Sequence, residues 1–282
     1  MRDARDNDYM SPAEASRIKG KVGFLLTTTY KRVGRAATQP LVQRTFQDKD
    51  MHFSSPMSHM LEFFEVLFPL VPPKLIDVFP CRAQSGRKPL IMYTDACFSD
   101  EFSGLGAVLI LPTGRFAALE CPRWIRKRLN RNAKTVINQL ELLAVILANL
   151  TFYEWLIDER VIYFEDNTCA LSAMINGYAS KEDMARLTNM YHLQNFFMNV
   201  DAWHDWVPSA ANIADVPSRP RYERGSHQDG WQPLWDLRAE EVPMKLPTEG
   251  QWDSLQRWCI EVCGASRSAD GRPAPLGQRL EV

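Results

Sequence analysis

At 282 residues, with 45% hydrophobic and 24% charged residues and a formal net charge of −1, the chain has an ordinary globular composition and can bury a core in one or two domains. Its longest apolar stretch, Leu142 to Ala148, falls far short of the roughly 20 residues that cross a bilayer. The charged N-terminus also lacks a signal-peptide core, so a soluble, intracellular protein with no membrane partner is expected, in nucleus or cytoplasm alike. The near-zero charge conceals two basic clusters. Residues 15 to 47 hold Arg17, Lys19, Lys21, Lys31, Arg32, Arg35 and Arg44 without one acid, and Arg123, Arg126, Lys127, Arg128, Arg131 and Lys134 form the second. Such faces can neutralise phosphates, and on charge alone a solvated helix surface accounts for them equally well. The six cysteines show no paired framework, and Cys259 with Cys263 is a weak metal signal without a second pair, so buried or free thiols are expected.

In chain order, the first ten residues read as disordered. Ser11-Pro12-Ala13-Glu14 then supplies an N-cap, a proline at the first helical position and a capping-box acid, so a helix starts there. Gly20, Gly23 and Gly34 predict several short helices over residues 11 to 68 rather than one long one. Prolines between 69 and 89 mark a linker, with a boundary near residue 86. From there the pattern turns to strands at Leu90 to Thr94, Gly106 to Leu111 and Phe116 to Cys121, an antiparallel meander turned by Pro-Thr-Gly at 112 to 114. A helix apolar on nearly every side, Asn138 to about Trp155, belongs in the interior. Val161 to Phe164 reads as a strand covered on both faces. Helices from Asn167 to Asn176, ended by Gly177, and from Glu182 to Asn199 follow, then a strand from Ala202 to Val207 and a short helix around Ile213. The result is an α/β fold with helices packed on a mixed sheet. Beyond it, Trp252, Leu255, Cys259 and Val262 recur at helical spacing, and the chain after Gly264 reads as a loose tail.

Four acids stand out: Asp95, Glu141, Asp166 and Asp215. Three of them lie in or beside apolar runs, where a buried carboxylate is costly unless something positive compensates it. Each has a structural reading as well. Asp95 could cap a turn, Asp166 with Asn167 could cap the next helix, Glu141 could face solvent, and Asp215 could cap the last helix. If neighbouring first and fourth strands bring them together, the set suits Mg²⁺ or Mn²⁺. Two such ions about 3.5–4 Å apart would clamp the attacking water and leaving oxygen of a phosphodiester. Tyr163-Phe-Glu-Asp166 superficially matches a polymerase's paired acids, but a helix rather than a turn and second strand follows. Gly104-Leu-Gly106 is no dinucleotide fingerprint, because Leu109 stands where the third glycine belongs.

The sequence resembles the ribonuclease H domain of reverse transcriptases, nearest the hepadnavirus and DIRS-type retroelement branch. The matching text is Tyr93-Thr-Asp95-Ala, Gly104-Leu-Gly106-Ala-Val, Gln139-Leu-Glu141-Leu-Leu-Ala, Glu165-Asp166-Asn-Thr and Val207-Pro-Ser-Ala-Ala-Asn212-Ile-Ala-Asp215-Val-Pro-Ser-Arg219, the last being the most specific. The resemblance covers about residues 88 to 220, and Ser11 to Leu41 looks like the thumb or connection region of the same elements. It implies a helical region over 1–86, a ribonuclease H-like domain over 87–220 with a mixed five-stranded sheet, and an extension over 221–282. It further implies an endonuclease that hydrolyses the RNA strand of RNA/DNA hybrids with two Mg²⁺ ions, Mn²⁺ being a substitute, and a reverse transcriptase polymerase domain as a partner.

By the same resemblance Asp95, Glu141, Asp166 and Asp215 are the metal-binding catalytic acids. Glu141 belongs with the ion on the leaving side and Asp215 with the ion that activates water. Asn167 and Thr168 at a helix N-terminus, with Arg126, Lys127, Arg128 and Arg131, are candidate phosphate contacts. The family's usual histidine before the last acid is replaced by Pro208-Ser-Ala-Ala211, and Asp100 and Glu101 lengthen the first hairpin. These departures keep open an inactive retroelement remnant that binds nucleic acid or a partner chain without cutting.

Overall fold

In the computed structural model the signal at Ser11 to Glu14 closes as a capping box. The Ser11 amide and hydroxyl donate to Glu14 Oε2 at 3.1 and 3.0 Å, and the Glu14 amide donates back to Ser11 Oγ at 3.2 Å. The structure describes all residues except 30–31, 47–49, 71–87, 112, 130–135, 221–227, 256, 259–261 and 263–282. The expected 69–89 linker lies mostly outside the described residues, as do Arg131, Lys31, Lys134, Cys259, Cys263 and the tail. The chain divides into one unit of Met1–Arg87 with Asn176–His192 and another of Lys88–Ile175 with Leu193–Val282.

The first unit is helical: α1 (Arg2–Asp6), α2 (Pro12–Thr29), α3 (Gln39–Phe46) and α4 (Ser55–Leu70), with a 3₁₀ turn at Ala36–Thr38. Two expectations are corrected here. The N-terminus is ordered, because α1 is followed by Met10, whose side chain is fully buried and whose amide donates to Met51 O at 2.9 Å. Gly20 and Gly23 do not interrupt α2, an uninterrupted helix of 18 residues; the break comes at Gly34, where φ is +78°. That conformation favours glycine, and a Cβ there would also crowd Phe64 at 3.0 Å. Arg44, counted with the basic face, is buried instead, donating to Met10 O at 2.7 Å and His52 O at 2.5 Å. Its charge serves carbonyl groups of its own unit.

The second unit is a mixed sheet with helices packed on it. It runs β1 (Leu90–Phe98), β2 (Ser103–Ile110), β3 (Arg115–Glu120), α5 (Arg123–Leu129), α6 (Ile137–Thr151), α7 (Tyr153–Leu156), β4 (Arg160–Glu165) and α8 (Thr168–Asn176). Then come α9 (Glu182–Phe197), which is counted with the first unit as far as His192, β5 (Asp201–Trp206), α10 (Asp215–Ser218), α11 (Gln228–Asp236), β6 (Glu240–Glu241) and α12 (Glu249–Asp253). The strand order is β5-β4-β1-β2-β3-β6. β1, β2 and β3 form the expected antiparallel meander, while β1–β4, β4–β5 and β3–β6 pair in parallel. Among the described residues the sheet therefore has six strands rather than five. The sixth lies beyond residue 220, where Glu240 and Glu241 pair with Arg115 and Phe116 on the edge of β3.

Period-two alternation divides β1 between two layers. Met92 and Thr94 share the face of Tyr163 and Glu165 in the parallel partner β4, with Met92 opposite Tyr163, and the Tyr163 hydroxyl donates to Asn149 Oδ1 of α6 at 3.0 Å. That buries α6 almost completely, as its all-round apolar sequence requires. Tyr93 and Asp95 point to the other face, where Tyr93 stacks on Phe164 and α10 lies against the strands. The expected helix around Ile213 is displaced: a 3₁₀ turn occupies Ser209–Ala211, the Asn212 side chain accepts from the Ala214 amide at 3.2 Å, and α10 begins at Asp215.

Candidate metal centre

Glycines at alternate positions of β2 decide how close α10 can come. A Cβ on Gly104 would lie 1.8 Å from Ser218 O, and one on Gly106 would lie 2.4 Å from Ala214 O and 2.5 Å from Ser218 N. Gly106 pairs with Asp95 across the strands, so the gap left by its missing side chain sets α10 beside that acid. The Ser218 hydroxyl then donates to Asp95 Oδ2 at 2.5 Å, while Asn212 Nδ2 donates to Thr94 O at 2.9 Å and lies 3.5 Å from Asp95 Oδ1.

Parallel pairing of β1 with β4 brings the end of β4 to the same place, and α6 crosses β1 with Glu141 in its second turn. One carboxylate oxygen from each of Asp95, Glu141 and Asp166 lies within 4.8 Å of the others. Asp95 and Glu141 are 5% and 4% exposed. No Lys or Arg among the described residues makes an ion pair with any of the three. The fourth acid, Asp215, is near enough for its charge to raise the Asp95 pKa, but it is not in that group of three. Both of its oxygens instead accept from Arg219, Oδ2 from Nε and Oδ1 from Nη2, each at 2.8 Å.

Glu165, quoted in the family motif but not assigned a role, belongs to the site. It is fully buried, its Oε2 accepts from the Thr94 hydroxyl at 2.8 Å, and its Oε1 lies 3.4 Å from the Asn167 amide. The signal was available: Val161, Tyr163 and Glu165 alternate along β4, so the last of them points inward with the first two. Ser218, Asn212 and Arg219 had only the most specific motif to recommend them.

Crowding and burial set the protonation of the centre. Burial, opposed by the Ser218 hydrogen bond and reinforced by the charges of Asp215 and Asp166, pushes Asp95 up to about 7. Burial first, then the charges of Glu165, Asp95 and Asp166, pushes Glu141 up to about 12. Glu165 is held well above the usual carboxylate range, again chiefly by burial. Carboxyls this close must either hold protons or receive a cation. Glu141 Oε2 is buried without a hydrogen-bond partner. An orphaned buried oxygen is expensive, and with an all-oxygen donor set it suits a hard divalent ion. The residues therefore fit the metal that the resemblance implies.

The candidate phosphate contacts scatter. Asn167 caps α8, its Oδ1 accepting from the Cys169 and Ala170 amides at 3.0 Å each while its Nδ2 donates to Asn138 Oδ1 at 3.0 Å. Thr168 is exposed at the first position of α8. Arg126 donates to Ser99 O and Asp100 O at 2.9 and 3.0 Å and stands over the Phe98 ring, which ties down the lengthened hairpin. Arg128 pairs with Glu249 at 3.4 Å and with Asp253, and Trp124 meets Trp252 edge to face alongside. Lys127 is exposed. His204 stacks on Tyr163. Cys97, Cys121 and Cys169 are free thiols. No described helix is long and apolar enough to cross a membrane.

No protein-family model matches the chain, and no curated protein matches it either. Among solved structures it is similar to ribonuclease H1 of the halophilic archaeon Halobacterium salinarum NRC-1, at 16% identity and a TM-score of 0.34 over 46% of this chain and 94% of that one. It is also similar to the N-terminal ribonuclease H domain of Rv2228c from Mycobacterium tuberculosis, solved as a fusion with maltose-binding protein, at 15% identity and a TM-score of 0.35 over 51% of this chain and 97% of that one.

Proposed function

We propose that the chain is a divalent-metal-dependent endonuclease that hydrolyses the RNA strand of RNA/DNA hybrids. The observation that carries this reading is the convergence of Asp95, Glu141 and Asp166 within 4.8 Å, with Glu141 Oε2 buried and unpartnered among them. Hybrid specificity and a reverse transcriptase origin, with a polymerase domain as partner, rest on the sequence motifs. So does the division into a helical region to residue 86, a nuclease domain to 220 and an extension.

In this reading Asp95, Glu141 and Asp166 hold one ion and Asp95 with Asp215 the other. Two Mg²⁺ ions, or Mn²⁺, would supply the charge stabilisation and nucleophile activation that in-line phosphodiester hydrolysis needs. The chain's own groups keep the acids in position. Ser218 and Asn212 fix the rotation of the Asp95 carboxyl. The Thr94 hydroxyl donates to Glu165 and fixes its carboxyl beside the centre, opposing the burial that raises its pKa. Lys127, Arg123 and Thr168 are the exposed groups left to meet the nucleic-acid backbone. Contacts to phosphates and 2′-hydroxyls read shape rather than sequence, so little base preference is expected.

The test is incubation of the purified chain with labelled RNA/DNA hybrid, duplex DNA and duplex RNA, with Mg²⁺ or with EDTA. Hybrid-specific cutting that disappears in EDTA and in Asp95→Asn supports the assignment; cutting that survives either change rejects it. One observation favours a second reading, a remnant that binds without cutting: Arg219 engages both oxygens of Asp215. Hybrid binding with no cleavage under any divalent ion is the outcome that selects it.

A further inference from the structure

Asp215 and the other three acids are treated differently by the fold. Asp95, Glu141 and Asp166 lie together with no basic side chain bonded to any of them among the described residues. Asp215 already has a cation. It opens α10 and Arg219 follows that helix, so the i, i+4 spacing swings the guanidinium back over the carboxylate in a two-pronged arrangement. The guanidinium is also near enough to act on Asp95 by charge.

We propose that Arg219 is the resident cation of the Asp215 subsite and a positioning residue that decides when that subsite accepts a divalent ion. The inference rests on the metal reading above. An ion entering among Asp95, Glu141 and Asp166 displaces no protein cation, whereas one entering at Asp215 must first turn Arg219 away. The chain therefore binds divalent ions in two classes of different affinity, and Arg219 sets the weaker one. Its partial exposure leaves it room to swing out, since the Arg219 side chain is 45% and the Asp215 side chain 34% accessible. In the absence of a second ion the same guanidinium keeps Asp215 oriented and offsets repulsion between Asp215 and Asp95.

The experiment is a Mn²⁺ titration of the full chain, with free Mn²⁺ read by electron paramagnetic resonance, on wild type, Arg219→Gln, Arg219→Lys, Asp215→Asn and Asp95→Asn. Displacing an accessible ion pair sets the scale at about two- to fivefold in affinity. Arg219→Gln should tighten the weaker class by that factor and leave the tighter class unchanged. Arg219→Lys, which keeps the charge but loses the two-pronged fit, should fall between, and Asp215→Asn should abolish the weaker class alone. A weaker class that is unmoved or loosened in Arg219→Gln, with Arg219→Lys behaving the same, overturns the proposal and leaves the metal reading intact. No Mn²⁺ binding in wild type, or a tighter class that survives Asp95→Asn, overturns both.

Discussion

Replacing Asp95 by Asn should make the metal-free protein more stable at neutral pH, although it removes a residue from the centre of the site. Asp95 is 5% exposed, and its pKa rises from 3.8 in the unfolded chain to about 7 in the fold. A carboxyl whose folded pKa is raised contributes stability that is fully present below pH 3.8 and is lost as the pH climbs through about 7. The rise corresponds to about 4 kcal/mol in total, lost at no more than about 1.4 kcal/mol per pH unit. Asn presents the same shape without a titrating proton, and its oxygen can still accept from Ser218. Urea unfolding in EDTA at pH 4, 5, 6, 7 and 8 measures the difference directly. Variant and wild type should be nearly equal at pH 4, and the variant should lead by up to about 4 kcal/mol at pH 8. Saturating Mg²⁺ should then restore wild type selectively, by about 2.7 kcal/mol at a hundred times the dissociation constant. If the variant is the less stable protein at pH 8 in EDTA, or the gap does not change with pH, the account of Asp95 as an uncompensated buried carboxylate is wrong.

Two further outcomes follow from the packing around the site. Gly106→Ala drives a methyl group to 2.4 Å from Ala214 O, so it should cost about 1–3 kcal/mol in urea unfolding and depress hybrid cleavage by shifting α10; an unchanged midpoint would show that α10 moves freely. Arg128 is held by Glu249 and Asp253. The double variant Glu249→Gln/Asp253→Asn should therefore bind hybrid more tightly at low salt, with a salt dependence steeper by about one phosphate contact, measured by fluorescence anisotropy across a salt series. Identical slopes would mean that Arg128 does not reach the nucleic acid.

What could be read along the chain was what neighbouring residues decide among themselves. The capping box at Ser11, the all-round apolar α6, the helix stop at Gly177 (φ +63°) and the meander of β1, β2 and β3 are set by local hydrogen bonds and by periods of 2 and 3.6. Asp95, Glu141 and Asp166 were also legible, since acids in apolar runs are costly enough to demand a reason. The misreadings all have one origin. Gly20 and Gly23 looked like breaks because helix propensity is a weak prior that the rest of α2 outweighs. Arg44 looked like part of a basic face because a sequence shows charge but not the carbonyl groups of Met10 and His52 that answer it. By itself, then, the sequence determined the helices and strands that carry the acids and the order in which they come. Only the tertiary structure decided that Gly104 and Gly106 admit α10 and that Asp215 is met by Arg219. Those outcomes depend on distances between segments remote along the chain, which strand register and close packing fix and no local pattern encodes.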